Sequence, residues 1–270
     1  MNVRTLFVAL LFLPISGCLT AEDDSSEGFR IATTTSMRDS GLLDVLLEEA
    51  SQIYGIEVEY VAVGTGAALE LGRNGDVDAL IVHAPEQEEA FIEAGYGSNR
   101  TTFAWNSFVL LSPTELPETI DEAFGFVVES EQCFVSRGDD SGTHLKEQSI
   151  WRHLNETQGL PVVLDSNGLH PTGSWYYSIG QGMGAAINMA HEKECVTLSD
   201  RGTALRFQSD ISLDRYEYNE SVVHNPYSFL SIQGGDEIKA NLLLTYLMNE
   251  GQSTIANYTM SGEAAFFIYE

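Results

Sequence analysis

Positive charge is what this 270-residue sequence has least of. Thirteen lysines and arginines face forty aspartates and glutamates, and three of the thirteen are lysine, so the formal net charge is −27. Such a chain is not expected to bind nucleic acid, because that affinity comes largely from neutralising phosphates. Sparse lysine with abundant acid suits a high-salt setting, where self-repulsion is screened. Cysteine is also scarce, at three residues. No second ligand pair stands at a finger-like spacing, and His83, His144, His153, His170, His191 and His224 show no metal-ligand spacing either. No resident metal is expected. A membrane-spanning run is missing as well, since the compact apolar stretch Leu6 to Ile15 is too short to cross a bilayer. There is no internal repeat. What is there is 43% apolar and 10% aromatic residues, the composition of a globular protein long enough for one big domain or two lobes.

The first residues do not belong to the fold. Met-Asn-Val-Arg is a short basic start, Leu6 to Ile15 an apolar core, and Ile15-Ser-Gly-Cys18 a small-residue processing site. Residues 1–17 therefore read as a signal peptide. Cys18 directly after Ser-Gly looks like a lipobox cysteine, which implies cleavage before it and lipid on its thiol. Residues 18–28 follow as a polar acidic tether. These features place the mature chain outside the cytoplasm, anchored to the membrane through Cys18. The four sequons at Asn99, Asn155, Asn219 and Asn257 are compatible with export. Cys133 and Cys195 remain, an even pair in a disulfide-permissive compartment. Each precedes an apolar run that suits a strand, and they are expected to be bonded, with two buried free thiols as the alternative.

From Phe29 onward strand-like and helix-like segments alternate. Phe29 to Thr33 suits a strand, and Gly41 to Tyr54 carries a helical stripe of Leu42, Leu43, Leu46, Leu47, Ala50 and Ile53 that stops at Gly55. Strands are expected at Ile56 to Val63 and Val77 to Val82, with helices at Gly66 to Leu71 and Glu86 to Ala94. Phe103 to Leu111 is a further strand, followed by the punctuation Pro113-Thr-Glu-Leu-Pro117. Beyond the Arg137 segment the sequence reads as a loop through Gly173, a helix over Gly182 to His191 and a strand near Val196 to Leu198. A strand pair over Val222 to Ile232 and helices to Asn257 complete the chain. This rhythm argues for α/β architecture with a mostly parallel sheet flanked by helices in each of two lobes. The expected lobes are residues 29–112 plus 224–270 and residues 113–223. Ligands of such proteins sit between the lobes, at the carboxyl ends of strands.

Four loops have the chemistry to hold an anion there. Phe134-Val-Ser-Arg-Gly-Asp-Asp-Ser-Gly-Thr-His144 runs from a strand through a glycine turn into a helix start, where free N–H groups and the helix dipole favour negative charge. Arg137 adds a fork that matches oxyanion geometry. Thr33-Thr-Thr-Ser36, Gly64-Thr-Gly66 and Gly180-Gln-Gly-Met-Gly184 each precede another helix. Taken singly, each is as readily a helix cap or a tight turn. Together they suggest a cage of donors for one small anion.

These loops carry a resemblance. Thr33 to Ser36 with Asp39-Ser-Gly-Leu-Leu43, Val61-Ala-Val-Gly-Thr-Gly66, Leu71-Gly-Arg-Asn-Gly-Asp76, Phe134 to Glu147, Gly180 to Gly184 and Leu198-Ser-Asp-Arg-Gly202 resemble the periplasmic tungstate-binding proteins of ABC importers. The resemblance implies a two-lobed type II periplasmic-binding fold, a tetrahedral oxyanion (tungstate or molybdate) in the cleft, no cofactor, a monomer, and delivery to an ABC permease in the membrane. By motif, it assigns ligand contacts to Thr34, Thr35, Ser36, Thr65, Arg137, Ser141, Gly142 and Thr143. Gln181, Gly182 and Met183 would close the pocket. Ser199 departs from the pattern, which has threonine there. Tungstate is an acceptor-only dianion, whereas phosphate carries a proton and rewards a carboxylate, so the orientation of Asp139 and Asp140 separates tungstate from a phosphate-binding alternative. An enzyme is not expected. Ser141, His144 and Asp140 lie within five positions of one helix start and cannot readily form a nucleophile–base–orienter line.

Overall fold

The computed structural model describes residues 28–269. The expected signal peptide, Cys18 and the tether up to residue 27 lie outside the described residues. The first half runs β1 (Phe29–Thr34), α1 (Thr35–Ser40), α2 (Leu42–Tyr54), β2 (Val58–Val63), α3 (Thr65–Asn74), β3 (Ala79–Val82) and α4 (Pro85–Glu93), and then enters the long β4 (Gly97–Ser112). The second half holds α5 (Ile120–Glu129), β5 (Phe134–Ser136), α6 (Gly142–Gln158), the hairpin β6 (Val162–Asp165) and β7 (Gly168–Pro171), and β8 (Tyr176–Ser178). It continues through α7 (Met183–Lys193), β9 (Val196–Asp200), α8 (Arg201–Phe207) and β10 (Asp214–Glu217). The chain returns along β11 (His224–Ile232) and ends in α9 (Glu237–Met248), α10 (Glu250–Asn257) and a two-stranded C-terminal hairpin.

One nine-stranded sheet has the order β2-β1-β3-β11-β4-β9-β5-β8, with β10 on β4. The triplets β2-β1-β3 and β9-β5-β8 are parallel, as βαβ units require. The two strands that carry the chain between halves, β4 and β11, run antiparallel to their neighbours. β4 changes partner between Ser107, opposite His224 of β11, and Phe108, opposite Asp200 of β9. The halves are thus joined through shared backbone.

Successive residues of one strand feed different apolar clusters. Ile31 packs with Leu46, Phe229 and Tyr246, whereas Ala32 packs with Leu69, Leu80 and Phe91. On β4, Leu110 joins Phe124, Phe134 and Trp151, while Val109 joins Val135 and Ile187. Side chains alternate across a sheet, so both faces of each half are covered by helices. The α2 stripe is buried from Leu42 to Ala50, but Ile53 is exposed, so the stripe ends one turn early. Cys133 and Cys195, each one residue before β5 and β9, form a disulfide. Among the described residues no helix is long and apolar enough to cross a membrane.

A buried acid lies beneath α6. Glu147 accepts hydrogen bonds from the Tyr176 hydroxyl at 2.6 Å and Trp151 Nε1 at 3.1 Å. Burial pushes its carboxyl above the usual glutamate value, although these donors oppose the shift. The folded state therefore holds a proton that the unfolded state releases. Stability from this group is full below the ordinary value of 4.5 and declines as pH rises from there toward the raised folded value. Glu147→Gln is expected to remove a decline of up to about 1.4 kcal/mol per pH unit within that window. Urea unfolding of both proteins between pH 4.5 and 7 checks this, and parallel stability curves would contradict it.

Candidate functional site

Three antiparallel steps, β3 to β11, β11 to β4 and β4 to β9, make the two parallel triplets run in opposite directions, so their carboxyl ends, with the expected loops, face each other across the Ser107–Phe108 switch of β4. Thr34 closes β1 and caps α1, its Oγ1 accepting the Met37 N–H at 3.4 Å. Thr33, beside it, is turned into the structure and donates to the Ile81 carbonyl at 2.9 Å. Thr34 pairs in register with Val63 of β2, which brings Thr65, the first residue of α3, alongside the start of α1. Ser36 is buried and its Oγ lies 3.1 Å from both Thr34 Oγ1 and His83 Nε2. Thr35 is half-buried between them.

Arg137 follows β5 from the second half and is only 5% exposed. Its guanidinium is held by Asp139 through Nη2 at 2.6 Å and Nε at 3.2 Å, while the other carboxylate oxygen of Asp139 accepts the Ser141 N–H at 3.3 Å. Gly138 makes this turn possible: it adopts φ +60°, and a Cβ there would strike Ser178. Ser141 then caps α6 by accepting the His144 N–H. Asp140 points away from the protein, with its side chain 89% exposed. Lys146, one turn along α6, is half-buried and its ammonium is pushed below the usual value by burial.

His83, which follows β3, joins the two sets. Its Nε2 faces Ser36, its Nδ1 lies 2.7 Å from Asn225 Oδ1, and its ring stacks on Tyr227 at 4.8 Å. The same ring sits against Gly142, where an added Cβ would come within 3.0 Å of it. Burial pushes the imidazole below its usual pKa and Arg137 pushes the same way, whereas the Asn225 hydrogen bond and Asp200 oppose. A cavity of about 350 Å³ adjoins this contact, lined from one half by His83, Pro85 and Glu86 and from the other by Gly142, Lys146 and Arg152. The buried hydroxyls of Thr65 and Thr143, one from each half, have no protein partner. An unpaired buried hydroxyl costs roughly 1–3 kcal/mol, so both suit an acceptor-rich ligand.

The profile of the PBP superfamily domain matches residues 20–248. The chain belongs to the PBP superfamily. Among its relatives, the tungstate-binding protein TupA of Peptoclostridium acidaminophilum is 35% identical over 279 residues, covering 97% of this chain and 91% of its own. A solved structure described as the tungstate ABC transporter from Geobacter sulfurreducens matches with a TM-score of 0.73 at 36% identity, over 86% of this chain and 99% of that one. TupA from Desulfovibrio alaskensis G20 matches with a TM-score of 0.74 at 33% identity, over 89% and 98% of the two chains.

In this PBP chain the loop from Gly180 to Gly184 is placed differently from the other three. Gln181 and Gly182 are exposed, and the Met183 side chain is packed into the apolar cluster with Val109, Val135 and Ile187. The backbone explains why. Gln181 N–H donates to the Arg137 carbonyl at 3.0 Å and Ile179 N–H to the Ser136 carbonyl at 3.2 Å, so this loop braces the Arg137 turn from behind. A fifth helix start, that of α8, is stoppered by its own Asp200, which accepts Thr203 N–H at 3.0 Å and its hydroxyl at 2.6 Å. His83 and Asn225 are the site residues that the sequence motifs do not reveal. Among the described residues no group of three or more acidic, histidine or cysteine side chains is arranged to hold a metal ion.

Proposed function

We propose that this chain is an extracytoplasmic binding protein that captures one fully deprotonated tetrahedral oxyanion, tungstate or molybdate, between its halves and delivers it to an ABC permease. The observation that carries this reading is the meeting of two donor sets through His83, each ending in a buried hydroxyl without a protein partner. Thr34, Thr35, Ser36 and Thr65 would contact the anion from one half, and Arg137, Ser141, Gly142 and Thr143 from the other. Residues 29–112 with 224–270 and residues 113–223 would act as the two lobes. Lipid on Cys18 would hold the monomer at the membrane.

The aspartates favour a ligand without a proton. Asp140 is turned outward, and both carboxylate oxygens of Asp139 are engaged by Arg137 and the Ser141 N–H. Asp139 thus already accepts three hydrogen bonds and Asp140 lies in solvent, which leaves a protonated phosphate little to donate to. The relatives described as tungstate-binding point the same way. Calorimetric titration of the mature chain with tungstate, molybdate, sulfate and phosphate tests the reading. Tight tungstate or molybdate binding with little heat from phosphate supports it, and the reverse order overturns it.

The contact between halves gives a further expected result. At Gly142 a Cβ alone would already stand 3.0 Å from the His83 ring, so the branched carbons of Gly142→Val would force the halves apart. Tungstate affinity should fall by roughly tenfold or more, the ~1–3 kcal/mol that overpacking costs, with the thermal unfolding of the free chain little changed. Undiminished affinity would show that closure does not need this contact.

A further inference from the structure

The hydrogen bonds around His83 have a direction, and that direction matters to the anion. Asn225 Nδ2 donates to Asn106 Oδ1 at 2.8 Å and to the Tyr227 hydroxyl at 3.2 Å, which leaves its Oδ1 as the acceptor facing His83 Nδ1. With the amides in this orientation Nδ1 carries the imidazole proton. A neutral imidazole has one N–H, so Nε2 accepts, and the Ser36 hydroxyl donates to it. Thr34 Oγ1 accepts the Met37 N–H and donates its own hydrogen to Ser36 Oγ. The hydroxyl hydrogens of Thr34 and Ser36 are thus committed within the protein.

Charge is short as well. Arg137 is neutralised by Asp139, so that pair brings no net positive charge to an incoming dianion, and burying an uncompensated charge is costly. One proton on His83 Nε2 repairs both defects. Nε2–H then donates to Ser36 Oγ, the Ser36 hydrogen is released toward the ligand, and an imidazolium stands behind it.

We propose that His83 is a positioning residue of the anion pocket that takes up one proton from solvent as a dianionic oxyanion binds, turning the Ser36 hydroxyl into a donor to the ligand. This rests on the oxyanion reading given above. The surroundings of His83 decide how readily it does so. Asp200 at the end of β9 favours the imidazolium, and Arg137 opposes it. Burial disfavours it until the dianion arrives. β11 contributes Asn225 and the Tyr227 ring, and α6 contributes the Gly142 backbone. On α4, Glu88 is occupied by Arg100 and the Ala84 N–H. A ligand that brings its own proton does not need the step.

Calorimetric titration of the mature chain with sodium tungstate, in buffers of different ionisation enthalpy near pH 7.5, counts the protons exchanged. The expected result is uptake approaching one proton per anion, with affinity falling by up to about tenfold per pH unit above that pH. Tungstate stays a dianion throughout, so the dependence belongs to the protein. His83→Gln is expected to bind more weakly, with no proton uptake and a flat pH profile. In the unaltered protein, ¹⁵N resonances of the His83 ring should move from the neutral to the imidazolium pattern on tungstate addition, a readout that needs no variant to fold. Tight tungstate binding without proton exchange and with an unmoved ring signal overturns the proposal. Absence of heat from every oxyanion overturns the oxyanion reading itself, and this proposal with it.

Discussion

Arg137→Ala is expected to weaken tungstate binding by about 10²–10⁴-fold while the chain remains folded. Arg137 is only 5% exposed; its guanidinium is fixed by Asp139, and its backbone is braced by the 179–181 loop. Its remaining N–H groups are therefore presented to a ligand at little entropic cost, which is what makes a planar fork effective on an oxyanion. Removing it deletes those bonds and leaves the Asp139 carboxylate unpaired beside a dianion. Truncating one partner of a buried, hydrogen-bonded charge pair at a binding site costs about 2–5 kcal/mol of affinity, which sets the expected loss. Arg137→Lys should fall between, because an ammonium keeps the charge but not the fork. Part of the alanine effect is the stranded carboxylate, so Asp139→Asn introduced on top should recover some affinity. Calorimetry on the three variants measures the affinities, and far-UV melting checks the fold. Wild-type affinity in Arg137→Ala would remove Arg137 from the site.

The parts of the site that can be read from sequence are those written in consecutive residues. Ser141 before Gly142-Thr143-His144 and Thr34 before Thr35-Ser36 are N-cap signals, and the structure uses both hydroxyls as caps. The strand–helix alternation likewise follows from local periodicity, and it gives the two parallel triplets. What escapes depends on distance along the chain. His83 meets partners 47 and 142 residues away, at Ser36 and Asn225, and a single histidine after a strand carries no spacing that points to either. The antiparallel sense of β4 and β11 is equally non-local, because it follows from the chain crossing between halves. Two other elements have signals that are local. Asp165-Ser-Asn-Gly168 is a hairpin turn sequence, with aspartate at its first position and Gly168, at φ +86°, at its last, although the segment reads as loop by its composition. Thr119 with Glu122 is a capping-box sequence that opens α5 directly after the proline punctuation, the Thr119 hydroxyl accepting the Glu122 N–H and donating to its carboxylate. Met183 is a case where a local signal has two readings. A glycine-rich helix start resembles an anion loop in sequence, but here it fixes a turn whose methionine fills the core.

Replacing both Cys133 and Cys195 by alanine is expected to lower the stability of the chain by about 4 kcal/mol, the chain-entropy value for a closed loop of this length. The bond spans a sequence separation of 62 residues, enclosing α6, the β6–β7 hairpin and α7. Its two ends stand side by side because β5 and β9 are parallel neighbours, and the Val196 N–H donates to the Cys133 carbonyl at 2.7 Å. The covalent link therefore adds little to the folded geometry that the ladder does not already fix, and acts chiefly by restricting the unfolded chain. This separates its role from that of Arg137. Urea unfolding should show the full loss, and melting should fall by roughly 8–16 °C at ~2–4 °C per kcal/mol. Tungstate affinity of the folded protein should change little, since β5 still delivers Arg137 and β9 still holds Asp200 in register. A stability change below about 1 kcal/mol would place the restriction elsewhere. A large loss of affinity at unchanged stability would mean that the bond aligns the strand ends for the anion.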